Sequence, residues 1–379
     1  MVFKVDDRCQ KKNREQNLIK DKIEKDKFQR KNSKKDNLDK KEDILILAIE
    51  TSCDETAASV VKNGLEPLSN IVASQIDLHR KYGGVVPEIA SRKHLELINP
   101  VIEEALEQAA VEFGDIDAVA ATYGPGLVGG LLVGLSAAKA LSFALDIPFI
   151  GVNHIAGHIY ANFISNKEIE TPVVCLTISG GHTDLLYFKE LGKYQVLGST
   201  IDDAAGEAYD KTARVLGLGY PGGPIIEKTS KEGNPQAIDF PRSYLNNDNY
   251  NFSFSGLKTA VINYIHKKKQ KGEAINKADV AASFQQAVLD ILCGKTIKAV
   301  ENYQPKSVIL SGGVSANQTL RNQLEEKLKE YNLPLYTPAL KLCTDNAAMI
   351  GAVAYYQYLN GDFSPLTLNA KANLKLDSK

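Results

Sequence analysis

Two imidazoles four residues apart, in Asn153-His154-Ile155-Ala156-Gly157-His158, carry the most specific chemistry in the chain. On a helix they share one face, as two ligands of a single metal ion must, and Asn153 suits the N-cap of that helix. Such a pair is more often an exposed or core-edge pair than a metal site. Here the residues between are apolar or small, which argues against a solvated face. A zinc peptidase of the HExxH type is poorly supported, because the position that must hold its general-base Glu is Ile155. A third ligand must come from elsewhere. Thr344-Asp345-Asn346, ahead of a helix read over 347–359, is the best candidate. Two His and one carboxylate with open positions suit Zn²⁺ or Fe²⁺ and leave room for a substrate oxygen.

Glycine clusters form a second constellation. They are Tyr123-Gly-Pro-Gly-Leu-Val-Gly-Gly130, Ser179-Gly180-Gly181, Tyr220-Pro-Gly-Gly-Pro224 and Ser311-Gly-Gly313. Glycine lets backbone N–H groups approach a phosphate, and helix N-termini favour anions. One such cluster is only a turn as often as not; four in one chain favour a nucleotide-like ligand. None fits the Walker pattern. Acidic residues complete the set: Asp54 and Glu55 in the first polar turn are the candidate catalytic pair, and Asp202, Asp203, Glu207 and Asp210 follow later. Asp202 and Asp203 are explained by the dipole of a helix starting there. Asp210 falls too late for that and could accept hydrogen bonds from a ribose or an amine.

The elements that position these residues read as a repeated unit. The apolar run 44–49, the polar turn 50–56 and the run 57–61 make strand, turn, strand. The pattern returns at 173–178, 179–183 and 184–188. A third version at 307–310 and 311–315 leads into a helix instead. Helical spacing covers 95–108, 131–145 and 281–300. Strands alternating with helices, with two similar openings, imply an α/β fold of two duplicated domains and a ligand cleft at the strand ends.

Composition sets limits. The net charge of -1 gives no global basic field, which counts against unaided nucleic-acid binding. Five cysteines without a CxxC pair point to a reducing, cytoplasmic setting. No uncharged apolar run approaches the roughly 20 residues that cross a bilayer, so no membrane association is expected. Residues 1–43 hold 15 Lys and Arg against 10 Asp and Glu, with few large apolar residues, and read as a charged, disordered tail.

The motifs now quoted, with His79 to His94 (HRKYGGVVPEIASRKH), Phe254-Ser-Gly-Leu-Lys258, Ser311 to Asn317 and Cys343 to Asn346, resemble the bacterial and organellar tRNA N6-adenosine threonylcarbamoyltransferase family. The resemblance runs from Ile44 to about Leu359. It implies two duplicated actin-like ATPase lobes, expected at 44–151 plus 344–379 and at 152–343. It implies metal ligands at His154, His158 and Asp345, and substrate-binding positions at Thr177, Ile178, Ser179, Gly180, Gly181, Asp210, Gly223 and Asn317, with Glu227 a neighbour of the matched motif. It further implies transfer of threonylcarbamoyl from threonylcarbamoyl-AMP to the N6 amine of the adenosine beside the anticodon of tRNA, with AMP released. The implied partners are a degenerate paralogue and a small P-loop ATPase. The segment His79 to His94 is expected as a bent, exposed connection that meets a partner or tRNA. Two other classes stay open on the residues alone: an actin-fold metabolite kinase, which leaves the histidine pair unexplained, and a non-catalytic interaction subunit, which should lack the metal ligands.

Overall fold

The apolar run at the start of the folded region becomes β1 (Leu45–Glu50), and it is apolar on both faces because both are covered. It pairs antiparallel with β2 (Glu55–Lys62). The latter also carries β3 (Glu66–Pro67) and β4 (Ile71–Ser74). On its other edge β1 pairs parallel with β5 (Ala118–Gly124), which pairs parallel with β6 (Phe149–Asn153). The computed structural model describes residues 43–376 except 191 and 244–248. The charged tail, Asp43 apart, lies outside the described residues.

On one face of this sheet, Leu47 and Ile49 meet Val101 and Ile102 of α2 (Pro87–Ala109) and Leu135 of α3 (Val128–Leu145). A short α1 (Ile76–Arg80) precedes them. Burying Leu131 and Leu135 contributes roughly 1.5–3 kcal/mol each. Two glycines bring α3 down onto the first polar turn: a Cβ on Gly130 would stand 2.5 Å from the Thr51 carbonyl oxygen, and one on Gly134 2.4 Å from Thr51 Oγ1. By length and composition α3 could cross a membrane. In this fold its inner face is core, and its outer face is an uncharged stripe where Val128, Leu132 and Phe143 are exposed; Leu95 of α2 is exposed as well.

The second sheet has the order β11-β10-β7-β8-β9. Its strands are β7 (Val173–Ile178), β8 (Thr183–Glu190), β9 (Lys193–Ser199), β10 (Ser307–Ser311) and β11 (Leu335–Tyr336). Between the sheets the chain forms α4 (His154–Ser165). The second half adds α5 (Ala205–Val215), α6 (Gly222–Ser230), α7 (Ser255–Gln270), α8 (Lys277–Tyr303), α9 (Gln318–Lys329), α10 (Leu340–Cys343) and α11 (Ala347–Asn360). Val174, Leu176, Tyr209, Phe284, Val288 and Leu324 belong to its core. The two sheets repeat one scheme: an antiparallel hairpin whose first strand pairs parallel with a later strand.

α11 returns to the other face of the first sheet. A Cβ on its Gly351 would lie 2.4 Å from Val61, and α4 packs on it with Gly157 against Met349 and Ile350. Beyond α11 the chain runs along the edge strand β6. Ser364 N–H donates to the Phe149 carbonyl, and Lys371 N–H to the Tyr123 carbonyl, which covers an edge left open by the sheet order.

The segment His79 to His94 departs from its reading as an exposed connection. Its histidines are fully buried, and α2 begins inside it at Pro87. His94 Nε2 lies 3.0 Å from the Cys53 carbonyl oxygen and Nδ1 2.8 Å from Thr56 Oγ1, so this imidazole braces the first polar turn. Arg80 to Tyr82, Pro87, Glu88 and Arg92 remain exposed, so the segment is a surface one anchored by its two buried histidines.

Candidate metal centre and glycine-lined cleft

Asn153 ends β6 and caps α4, its Oδ1 accepting from Ile155 N–H at 2.9 Å and Ala156 N–H at 3.3 Å. That cap fixes the first turn of α4, so His154 and His158 emerge on one face with ring centroids 4.7 Å apart. Asp345 sits just ahead of α11, whose cap is Asn346 Oδ1 accepting from Met349 N–H. Close packing of α4 on α11 at Gly157 then brings Asp345 Oδ1 to 3.5 Å from His154 Nε2 and 3.2 Å from His158 Nε2. One ligand atom from each of the three residues lies within 4.8 Å of the others.

The donor set suits a divalent transition ion. At 3.2 Å the His158–Asp345 pair is near but not aligned for a hydrogen bond, so both ring nitrogens of His158 are buried without a hydrogen-bond partner. A buried imidazole nitrogen that faces a carboxylate oxygen at this distance without a hydrogen bond to it is what a bound cation would satisfy. Electrostatics agree. Burial opposes charge on Asp345, yet His154 and then His158 hold its carboxyl well below the usual range. Burial also opposes charge on His154, and Glu50 with Asp345 raises it well above an ordinary imidazole.

Glu50, at the end of β1, was not singled out from the sequence. It is fully buried and accepts from Ser52 N–H (2.5 Å), Thr122 Oγ1 (2.6 Å) and His154 Nδ1 (3.0 Å). A charged residue closing an otherwise apolar strand was the available signal. Asp54 and Glu55 lie in the same turn and are nearly buried. Burial, then Asp345 and Asp54, raises the Glu55 carboxyl well above its ordinary value, and Ser74 Oγ donates to it at 3.1 Å. Asp54 Oδ2 is buried without a partner.

The glycine clusters divide into two kinds. An added Cβ would meet nothing within 4 Å at Gly180, Gly181, Gly223 or Gly313, so these backbones face open space. The Tyr123–Gly130 cluster is different and corrects its reading as ligand-binding. Gly124 packs on the Lys371 carbonyl, Gly126 on Ser52 and Gly130 on Thr51. Gly312 is also packed, with φ +81° and a Cβ position 2.4 Å from the Ile178 carbonyl oxygen. The SGGH turn lies beside the metal cluster: burial, then His154 and His158, pushes the His182 imidazole down to about 4.

The remaining residues read as substrate-binding have protein partners. Thr177 and Ile178 are fully buried in β7, Thr177 Oγ1 lying 2.8 Å from Ser311 Oγ and Ile178 in the core. Ser179 Oγ accepts from His182 N–H at 3.2 Å and shapes the turn. Asp210 Oδ1 accepts from Gly222 N–H (2.6 Å) at the start of α6. Glu227 Oε1 accepts from Gln318 N–H (2.8 Å), and Asn317 Oδ1 from Leu320 N–H (2.9 Å), both at the start of α9. These side chains fix two helix N-termini, an indirect way to serve an anion. Asp202 also departs from its reading. Instead of complementing α5, it accepts from Ser253 Oγ and from the N–H groups of Phe254 and Ser255, at the start of α7.

The family profile described as tRNA N6-adenosine threonylcarbamoyltransferase matches residues 66–352. A protein of that name from Clostridium botulinum (strain Kyoto / Type A2) is 58% identical over 339 residues, covering 89% of this chain and 100% of its own length. Another from Clostridium perfringens (strain SM101 / Type A) is 57% identical over 335 residues, covering 88% of this chain and 99% of its own. Among solved structures, HypF from T. kodakarensis superposes with a TM-score of 0.58 at 16% identity, over 85% of this chain and 49% of that one. Full-length HypF in a phosphate- and nucleotide-bound form gives 0.56 at 15% identity, over 85% and 56%. At such identities the likeness is one of fold, the actin-like ATPase fold.

Proposed function

This chain belongs to the tRNA N6-adenosine threonylcarbamoyltransferase family, a transferase that modifies tRNA, and from that premise we propose how its residues divide the work. The donor is threonylcarbamoyl-AMP, seated with its adenylate against the open backbones of Gly180, Gly181 and Gly223 and the N-termini of α6 and α9. The acceptor is the N6 amine of the adenosine beside the anticodon. The amine attacks the donor carbonyl carbon, the carbonyl–phosphate C–O bond breaks, AMP leaves with the electron pair, and the amine loses a proton. The observation that carries this reading is the convergence of His154, His158 and Asp345 beside the SGGH turn.

His154, His158 and Asp345 would hold one Fe²⁺ or Zn²⁺. When bound, that ion supplies Lewis-acid stabilisation of charge developing on a donor oxygen. The chain's own residues do the rest. The glycine turn and two capped helix ends orient the adenylate. Asp54, with its unpartnered Oδ2 and Glu55 as carboxyl neighbour, is the acceptor for the amine proton. The lobe limits at 151/152 and 343/344 belong to the same proposal, since they put the histidines and Asp345 on the two segments joining the lobes.

The uncharged stripe on α3 with Leu95 is the surface for the degenerate paralogue, and the P-loop ATPase joins that pair. Partner surfaces supply the basic field that a net charge of -1 lacks. The four described cysteines, Cys53, Cys175, Cys293 and Cys343, are free thiols, as a cytoplasmic enzyme's would be. Elemental analysis of the purified chain, paired with nucleoside analysis of tRNA from depleted cells, tests the reading. About one iron or zinc per chain and loss of the modified adenosine are expected; absence of either contradicts it.

A further inference from the structure

We propose that Glu50 is the positioning residue of the metal centre: its buried carboxylate holds the His154 proton on Nδ1, turns Nε2 toward Asp345, and so sets how tightly the cluster grips its ion. The inference rests on the metal reading above and deepens it.

A carboxylate accepts hydrogen bonds; it donates only when it carries a proton itself. Glu50 already accepts from Ser52 N–H and from Thr122 Oγ1, and its Oε2 stands 3.0 Å from His154 Nδ1. In that company Nδ1 is the donor. Ser52 Oγ, 3.1 Å from the same nitrogen, is left to accept a share of that proton. With the Nδ1 position fixed, the ring's free lone pair belongs to Nε2, the nitrogen 3.5 Å from Asp345 Oδ1.

His158 makes the contrast. Its Nδ1 has no hydrogen-bond partner, so nothing behind the ring orients it and only Asp345, 3.2 Å from Nε2, stands on its ligand side. Of the two imidazoles only His154 is oriented by a hydrogen bond, and Glu50 provides it. The carboxylate is tied at the ends of two adjacent strands, β1 through Glu50 itself and β5 through Thr122, so the first sheet sets the angle of a ligand on α4. Glu50 and Asp345 flank His154 from opposite nitrogens, two carboxylates against the charge of one dication. Loss of such an outer partner typically weakens metal binding about 10–100-fold. A buried Glu that only closes the turn would leave metal affinity unchanged.

The test uses the full chain, Zn²⁺ as probe, and selective ¹⁵N labelling of histidine. In the zinc-loaded wild-type protein, long-range ¹H–¹⁵N correlations should show His154 protonated at Nδ1 and metal-bound at Nε2. Chelator competition should show Glu50→Gln binding Zn²⁺ about 10–100-fold more weakly than wild type. Glu50→Asp, which keeps the charge at shorter reach, should fall between the two. A His154 proton on Nε2, or a folded Glu50→Gln that binds zinc within about threefold of wild type, overturns the proposal. Should Glu50→Gln fail to fold, the wild-type spectrum decides. A wild-type chain that binds no zinc brings down the metal reading itself; zinc binding indifferent to Glu50 brings down this inference alone.

Discussion

The two hairpins of the molecule share a plan and are put to opposite uses. In the first sheet, the turn between β1 and β2 is crowded with buried polar groups: Glu50, Asp54 and Glu55 are each at most 9% exposed, and Glu50 is hydrogen-bonded to His154 of the cluster. In the second sheet, the turn between β7 and β8 is nearly bare, with Gly180 and Gly181 open to space. One turn concentrates charge where an ion can balance it; the other makes room where a ligand's phosphate can come against the backbone. On the proposed reading, a duplicated scaffold supplies both halves of a transferase site by changing the residues in a single turn.

The largest effect should come from the charged half. His158→Ala removes one of three proposed protein ligands, so bound metal should fall below about a tenth of wild-type stoichiometry and transfer by about 100-fold or more. Elemental analysis of the purified variant checks this, and full metal content would contradict it. Glycine substitutions separate room from packing in the open half. Gly312→Val, at φ +81° with its Cβ 2.4 Å from a carbonyl oxygen, should cost about 2 kcal/mol or more and lower Tm by several degrees. Gly180→Val should leave Tm unchanged yet weaken AMP binding about tenfold or more, near 1.4 kcal/mol. Calorimetry and AMP titration read both, and a thermally destabilised Gly180→Val with normal AMP affinity would reverse the assignment.

The proposed partner surface is the outer face of α3, turned away from the first polar turn that its inner face meets. Phe143→Asp, at a residue 77% exposed, should leave Tm and metal content unchanged while weakening paralogue association about tenfold. Sedimentation or titration with the paralogue measures this, and unaltered association would remove α3 as the docking face.

A smaller and graded effect is the pH dependence of metal binding. Without metal, His154 is held well above the ordinary imidazole value by Glu50 and Asp345 against burial, so near neutral pH an ion binding at Nε2 must displace the second proton there while the Nδ1 proton stays directed at Glu50. Apparent affinity should therefore weaken as pH falls, about tenfold per unit where one proton is released. Without metal the sign is opposite. A raised folded-state value stabilises the protein below the ordinary histidine range, and that contribution is lost as pH rises through the folded value. Zinc titrations from pH 6 to 8 that show a flat profile would contradict the proton competition.

Much of this was legible where one segment holds the whole signal. The strand–turn–strand openings, the helix carrying His154 and His158, and the Asn153 cap depend on near neighbours, and sequence spacing reports those. What escaped depends on distant partners. The glycines from 124 to 130 resemble a ligand loop until Thr51, Ser52 and Lys371 are found packed on them. Asp202 looks like a charge for its own helix, but its acceptors serve residues 253–255. His79 and His94 look solvated because Arg, Lys and Gly surround them, whereas both are interior. Glu50 closes an apolar strand and gains its meaning only from Thr122 and His154, 72 and 104 residues away.

The claim joining the two turns is that an ion at His154, His158 and Asp345 acts on a donor held at Gly180 and Gly181. The most direct measurement is single-turnover transfer from threonylcarbamoyl-AMP to unmodified tRNA, with partners present, comparing chelator-stripped chain with the same chain reloaded with Fe²⁺ or Zn²⁺. Stripping should lower the rate by about 100-fold or more, equivalent to about 2.7 kcal/mol, and reloading should restore it. A stripped chain, free of metal by elemental analysis, that modifies tRNA at the reloaded rate would contradict the account.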